Sequence, residues 1–162
     1  MAAPELIVFD LDFTLWDCGG TYCDCLTPPF SVNDGRVRDH SRRVVELYED
    51  VDAILNYCDA KDIFMGLASR TEEPAWAQKL VDLLGLTERF EFAEIYPASK
   101  LQHFAALREA SRIDYQAMLF FDDEQRNIVE VETLGVTSIY VPSGMTQKLF
   151  DDGLSRFTAG QD

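Results

Sequence analysis

Basic residues are scarce in this chain: 14 Lys and Arg stand against 29 Asp and Glu in 162 residues, a net charge of −15. Nucleic-acid binding depends on Lys and Arg neutralising phosphates, so the imbalance argues against a nucleic-acid partner. It also disfavours adsorption to anionic membrane surfaces. A small anionic substrate stays open, because a local positive site can sit within an acidic surface. Long hydrophobic runs are missing too. No stretch approaches the roughly 18–20 apolar residues of a membrane span. The start, Met1-Ala2-Ala3-Pro4-Glu5, has no basic stretch ahead of its short apolar run, which argues against a secretory signal. Cysteines are few: Cys18, Cys23, Cys25 and Cys58. The C-x4-C-x-C spacing of the first three is not that of a zinc ribbon, and the candidates for a fourth ligand, Cys58 and His40, lie far along the chain. Reduced thiols in a cytoplasmic protein are expected. There is no internal repeat, linker or low-complexity segment.

What is present suits one globular domain. The chain is long enough for a sizeable core, with 47% hydrophobic and 27% charged residues. Leu6-Ile7-Val8-Phe9 is a continuous apolar run that reads as a strand buried on both faces, and it runs straight into Asp10-Leu11-Asp12-Phe13-Thr14. Asp10 and Asp12 then stand at the strand's carboxyl end, where an α/β sheet places its ligand crevice. Two converging carboxylates repel each other and call for a positive charge beside them. A hard divalent cation such as Mg²⁺, which takes oxygen ligands, fits that need.

From Leu15 to about Arg43 the chain is loop-rich, and Asn33-Asp34-Gly35 between Phe30-Ser31-Val32 and Arg36-Val37-Arg38 signals a hairpin. A small β-flap over the end of the first strand is expected, facing the substrate. Val51 to Lys61 has helical spacing, with Asp50 as its N-cap. Ile63 to Ala68 reads as a second buried strand ending at Ser69-Arg70-Thr71, with Thr71 capping the next helix and Ser69 the freer hydroxyl. That helix stops at Gly85. Phe90 to Tyr96 reads as a strand, and Ser99-Lys100-Leu101-Gln102 has capping-box form, placing Lys100 in the first turn of a helix to about Arg112. A cation is slightly disfavoured there unless it serves a bound anion. Met118 to Phe121 is a further strand ending in Asp122-Asp123-Glu124; Val136 to Val141 is another, followed by a helix from Met145 to Phe157 and a mobile tail, Thr158 to Asp162. The alternation predicts an α/β fold, a doubly wound parallel sheet with helices on both faces.

Four strand ends thus carry polar groups: Asp10, Asp12 and Thr14; Ser69 and Arg70; Ser99 and Lys100; Asp122 and Asp123. On one rim they form a set suited to phosphoryl transfer, where positioning and charge neutralisation dominate. In this order they resemble the four motifs of the haloacid-dehalogenase superfamily. Phe9-Asp10-Leu11-Asp12-Phe13-Thr14-Leu15-Trp16, Ala68-Ser69-Arg70-Thr71, Ile95-Tyr96-Pro97 before Lys100, and Phe121-Asp122-Asp123-Glu124-x-x-Asn127 are similar to its small magnesium-dependent phosphatases.

The resemblance implies a Rossmann-like core without a large cap domain, and a Mg²⁺-dependent phosphomonoester hydrolase. Asp10 would be the nucleophile, forming an aspartyl-phosphate, and Asp12 the general acid and base, with Thr14 bonded to Asp12 or the local turn. Leu11, Asp12, Ser69, Arg70 and Lys100 would bind the phosphoryl group or the substrate. Asp10, the Asp12 carbonyl and Asp122 would hold Mg²⁺, with Asp123 beside them or orienting Lys100. Sugar phosphates or phosphotyrosine-type side chains are the implied substrates, with Arg70, Trp16 and the flap from Cys18 to Arg38 contacting the leaving group. A cytoplasmic monomer acting on a phosphorylated metabolite or phosphoprotein is expected. The alternatives are a non-catalytic interaction module on the same fold, a phosphotransferase of the superfamily, a signalling receiver domain and a dehalogenase. The last two are disfavoured by Ser69, where a receiver needs Asp, and by Asp12, an acid that halide departure does not need.

Overall fold

The computed structural model describes residues 2–161. Its centre is a five-stranded parallel sheet in the order β7-β6-β1-β8-β9, built from β1 (Leu6–Phe9), β6 (Phe64–Ser69), β7 (Phe92–Ile95), β8 (Met118–Asp122) and β9 (Thr137–Tyr140). The central strand pairs on both sides: Leu6 is in register with Phe64 and Met118, and Phe9 with Leu67 and Phe121. Alternate residues serve opposite faces. Ile7 and Phe9 join one core with Leu119 and Phe121, against α1 (Val51–Ala60), α2 (Pro74–Leu83) and α5 (Gln147–Gly160). Leu6 and Val8 join the other with Phe120, against α3 (Lys100–Ser111) and α4 (Gln125–Glu132). A strand buried on both faces must be apolar at every position, which is why β1 and β8 read as unbroken hydrophobic runs. From β1 the chain winds outward to β6 and β7, then returns to the other side of β1 for β8 and β9. The order reverses beside β1, the place where such sheets open a crevice.

The insert after β1 forms a second, antiparallel sheet, β2-β5-β4-β3, from β2 (Trp16–Asp17), β3 (Ser31–Asn33), β4 (Arg36–Arg38) and β5 (Val44–Leu47). The hairpin is where Asp34-Gly35 places it; both residues have positive φ, 54° and 73°, the two-residue turn that matches strand twist. The expected insert stopped at about Arg43, but Val44–Leu47 pairs with both β4 and β2. The hairpin also faces elsewhere than expected. Val32, Val37 and β5 line a groove with Leu83 of α2 and Leu84 just after it, and Phe30 packs edge-on to Trp76, so β3 and β4 brace α2.

Two further expectations are corrected and one is refined. Asp50 is the N-cap residue of α1 as expected, but its side chain makes no bond there; its Oδ2 accepts from the Gln147 N–H at the start of α5, tying two helices on one face. Thr71 accepts from the Glu73 N–H, but the helix proper begins one residue later at Pro74, where the missing proline N–H costs nothing. The tail expected to be mobile from Thr158 is helical to Gly160, because Phe157 is buried and holds the last turns to the sheet; Asp162 lies outside the described residues. Ser99 does cap α3, accepting from the Gln102 N–H at 3.2 Å, with Lys100 the first helical residue. Among the described residues no helix is long and apolar enough to cross a membrane.

Candidate active site

The parallel sheet delivers β1, β6 and β8 to one rim, and their carboxyl ends meet around Lys100. Its Nζ lies 3.2 Å from Asp10 Oδ1 and 3.3 Å from Asp122 Oδ2, and also donates to the Ala68 carbonyl oxygen. Three acceptors use all three ammonium protons. The side chain is only 1% exposed, so without those partners the charge would be costly to bury. The expected conflict between a first-turn cation and the helix dipole is thereby resolved: this lysine reaches away from its helix into a ring of anions.

Carboxylate oxygens of Asp10, Asp122 and Asp123 lie within 4.8 Å of one another. Burial pushes the Asp10 carboxyl well above its usual range; Lys100 opposes this, while Asp123 and Asp12 add to it. Burial and then the Asp10 charge push Asp122 up to about 7, against the pull of Lys100. Burial also raises Asp123 to about 6, with a hydrogen bond to Asp10 acting the other way and Asp122 repelling it. One lysine cannot satisfy three such groups. A hard cation with oxygen ligands can, and Mg²⁺ fits this donor set. Asp123 sits beside Asp10 and Asp122 in the carboxylate triad, and Asp122 is the residue that meets Lys100.

Asp12 is held apart from this cluster. Its Oδ1 accepts from Trp16 Nε1 at 2.7 Å, from the Cys23 backbone N–H at 2.9 Å and from Cys18 Sγ at 3.6 Å. Burial raises the Asp12 carboxyl, and the Trp16 and Cys23 bonds hold it down. Trp16 is completely buried, so it cannot touch a leaving group as expected; it touches Asp12. The cysteines are free, and burial pushes the thiols of Cys18 and Cys23 up, which keeps them neutral beside the carboxylate. Thr14 donates to Asp10 Oδ2 at 3.5 Å, not to Asp12.

Asp10, Asp12, Ser69, Arg70, Lys100 and Asp123 line one cleft of about 380 Å³. Asp122 lies fully buried beneath it. Ser69 Oγ accepts from the Thr71 N–H at 3.3 Å, which leaves its own proton to donate. Leu11 does not join the cleft: its side chain is in the core, and its carbonyl closes the turn by accepting from the N–H groups of Thr14, Leu15 and Trp16. Any role in phosphate binding is limited to its backbone N–H. Among the described residues Arg70 makes no ion pair; its guanidinium donates to Asn127 Oδ1 at 3.0 Å, and Asn127 Nδ2 donates to Asp122 Oδ2 at 3.1 Å. Asn127 therefore couples a cleft arginine to a buried carboxylate, a role its place in the fourth motif did not reveal. Glu124 of the fourth motif lies on the rim, together with Tyr22, Asp24, Glu72 and Arg126, which no motif marked. Tyr22 precedes the short turn Cys23–Cys25 and Asp24 lies within it, so the insert reaches the cleft through its first residues rather than its hairpin.

Comparison with known proteins agrees with this geometry. The family model described as Acid Phosphatase matches residues 2–160. Human Magnesium-dependent phosphatase 1 is 42% identical over 160 residues, covering 98% of this chain and 89% of that protein. A putative magnesium-dependent phosphatase of Saccharomyces cerevisiae is 32% identical over 94% of this chain and 96% of its own length. Among solved structures, a haloacid-dehalogenase-like hydrolase from Xanthomonas campestris superposes with a TM-score of 0.68 over 99% of this chain and 97% of that one, at 13% identity. The shared fold extends well beyond the shared sequence. With its motifs gathered on one rim and a family match running almost end to end, the chain belongs to the acid phosphatase family and is a phosphatase on a haloacid-dehalogenase-like fold.

Proposed function

We propose that this chain is a Mg²⁺-dependent phosphomonoesterase that works through an aspartyl-phosphate on Asp10. The observation that carries the reading is the division between the two aspartates. Asp10 sits with Lys100, Asp122 and Asp123, where charge is neutralised, whereas Asp12 is bonded to the Trp16 indole and free of the lysine. A carboxylate attacking an anionic phosphate needs its charge and that of the phosphate offset. The Asp10 and Asp122 carboxylates and the Asp12 carbonyl, with Asp123 adjoining, would hold Mg²⁺, which would supply charge neutralisation at the phosphoryl oxygens. Lys100 orients Asp10, and Ser69 donates to the phosphoryl group. Asp12 protonates the departing oxygen and later accepts a proton from the attacking water.

The cleft is open, and α2, a short turn at Thr87–Arg89 and β7 are the elements between Ser69 and Lys100, too little chain for a cap domain at that point. Its rim mixes Arg70 and Arg126 with Asp24, Glu72 and Glu124, beside the half-exposed Tyr22 ring. That lining suits a polar leaving group with a flat or amine-bearing part, as in phosphotyrosine side chains and phosphorylated sugars on amines. We take the whole chain as one catalytic domain acting as a cytoplasmic monomer, in keeping with its unpaired, mostly buried thiols.

The test is hydrolysis of p-nitrophenyl phosphate with and without Mg²⁺. Wild type should turn over only with the metal. Asp10→Asn should lose at least about 10³-fold in kcat while keeping its fold, because it removes the covalent route. Intact-mass spectrometry of quenched wild type should detect a phosphate adduct. Normal turnover by folded Asp10→Asn refutes the nucleophile, and metal-independent hydrolysis refutes the cofactor.

A further inference from the structure

The three donors to Asp12 all meet one of its oxygens. Oδ1 accepts from Trp16 Nε1, the Cys23 N–H and Cys18 Sγ, whereas Oδ2 makes no hydrogen bond among the described residues, on a side chain that lines the cleft. A carboxylate oxygen has two lone pairs, so Oδ1 is saturated. The indole is rigid and completely buried, and among the described residues its N–H has no other acceptor. It is fixed by the chain itself: Asp12 and Trp16 are bridged, the Phe13 N–H donates to the Trp16 carbonyl, and Trp16 pairs with Leu47 of the small sheet. Cys23 is anchored from the far side, its thiol 3.5 Å from Thr71 Oγ1 at the end of β6.

We propose that Trp16, assisted by the Cys23 backbone N–H, is a positioning residue that fixes the Asp12 carboxyl so that Oδ2 alone carries the catalytic proton. The inference rests on the acid–base role given to Asp12 above. In the first half-reaction the Oδ2–H bond breaks and the leaving oxygen takes the proton, while the bond from phosphorus to that oxygen breaks and the bond from Asp10 to phosphorus forms. In the second, the water oxygen bonds to phosphorus, the Asp10–phosphorus bond breaks, and the water proton goes to Oδ2. With Oδ1 pinned, the carboxyl cannot rotate and turn a hydrogen-bonded oxygen toward the substrate. The antiparallel insert thereby acquires a purpose that its hairpin did not show: it holds the acid rather than covering the substrate.

Trp16→Phe removes the N–H and keeps most of the ring. It should lower kcat for phenyl phosphate, a poor leaving group, by about tenfold or more, with a smaller loss for p-nitrophenyl phosphate and KM nearly unchanged for both. In an Asp12→Asn background the same substitution should change kcat by less than about twofold, because the group it positions is already gone. An equal loss in both backgrounds, or the same loss for both substrates, overturns the proposal in favour of simple packing. Trp16→3-benzothienylalanine preserves the ring shape without the N–H, and full activity in that protein overturns it as well, whatever the folding of Trp16→Phe. Undiminished hydrolysis of phenyl phosphate by Asp12→Asn sinks the acid–base role itself. A damaged Asp12→Asn beside an unaffected Trp16→Phe sinks only the positioning.

Discussion

At the residue scale, the side chains that matter are those whose burial has been offset by a specific partner, and His103 is the exception. It is completely buried on α3, one turn beyond Lys100; its Nε2 bonds to the Tyr96 carbonyl, and its Nδ1 has no partner among the described residues. Burial, and then the Lys100 charge, lower the imidazole to about 4, so the folded protein holds it neutral. An unfolded histidine takes a proton near pH 6.5, so below that the unfolded chain binds a proton that the folded one refuses. Its contribution to stability is therefore whole above pH 6.5 and is lost as pH falls toward 4. His103→Gln can keep the bond to Tyr96 but does not titrate. Urea midpoints measured from pH 7 to pH 4.5 should fall more steeply for wild type than for the variant, with a gap on the order of 2 kcal/mol at the acid end. Parallel curves would rule out a neutral buried histidine. Lys100 shows the opposite solution, a buried charge with every proton assigned.

At the element scale, the helices are positioned by close approach to the sheet. Gly153 brings α5 down onto β8: a Cβ there would stand 2.7 Å from the Phe121 ring and 3.3 Å from Ile139. Phe121 cannot give way easily, since its ring stacks on Phe9 at 5.6 Å and on Phe150 at 5.9 Å. Gly153→Ala gains roughly 1 kcal/mol of helix propensity and incurs about 1–3 kcal/mol of overpacking. The overpacking term should win, lowering Tm by roughly 2–6 °C, a shift measurable by calorimetry. A Tm equal to or above that of wild type would show that α5 can lift at no cost. Phe121 immediately precedes Asp122, so the same variant should also weaken activation by Mg²⁺. The sequence marked α5 by its spacing, but a glycine in a helix carries no sign of what it must clear.

At the scale of the whole molecule, an acidic protein has concentrated three of its carboxylates at one point. Against a net charge of −15, bringing Asp10, Asp122 and Asp123 together works against folding, and Lys100 offsets only part of it. Mg²⁺ should therefore stabilise the fold as well as serve the reaction. At about 100 times its Kd, a ligand specific to the folded state adds roughly 2.7 kcal/mol. For a chain of this length that corresponds to a rise of roughly 5–10 °C in Tm over a sample in chelator. Asp122→Asn should melt higher than wild type in chelator and gain much less from Mg²⁺. Scanning calorimetry of the four samples checks this; an equal gain in both proteins would remove Asp122 from the metal site.

The sequence by itself determined the sheet and the side chains gathered at the candidate site. Strands buried on both faces are apolar along their length, so the runs Leu6–Phe9 and Met118–Phe121 announce themselves, and the residues that follow them lie on one rim by topology alone. Asp10, Asp12, Ser69, Lys100 and Asp122 could be located from that rule and from their motif order. The tertiary structure decided the partners. That Asp122 rather than Asp123 meets Lys100, that Thr14 bonds to Asp10, that Asn127 links Arg70 to Asp122, and that Trp16 serves Asp12 all depend on side-chain directions in three dimensions. Local periodicity fixes which face of an element a residue occupies, but a hydrogen bond between residues 57 or 90 positions apart exists only once the sheet has brought them within 3 Å or so.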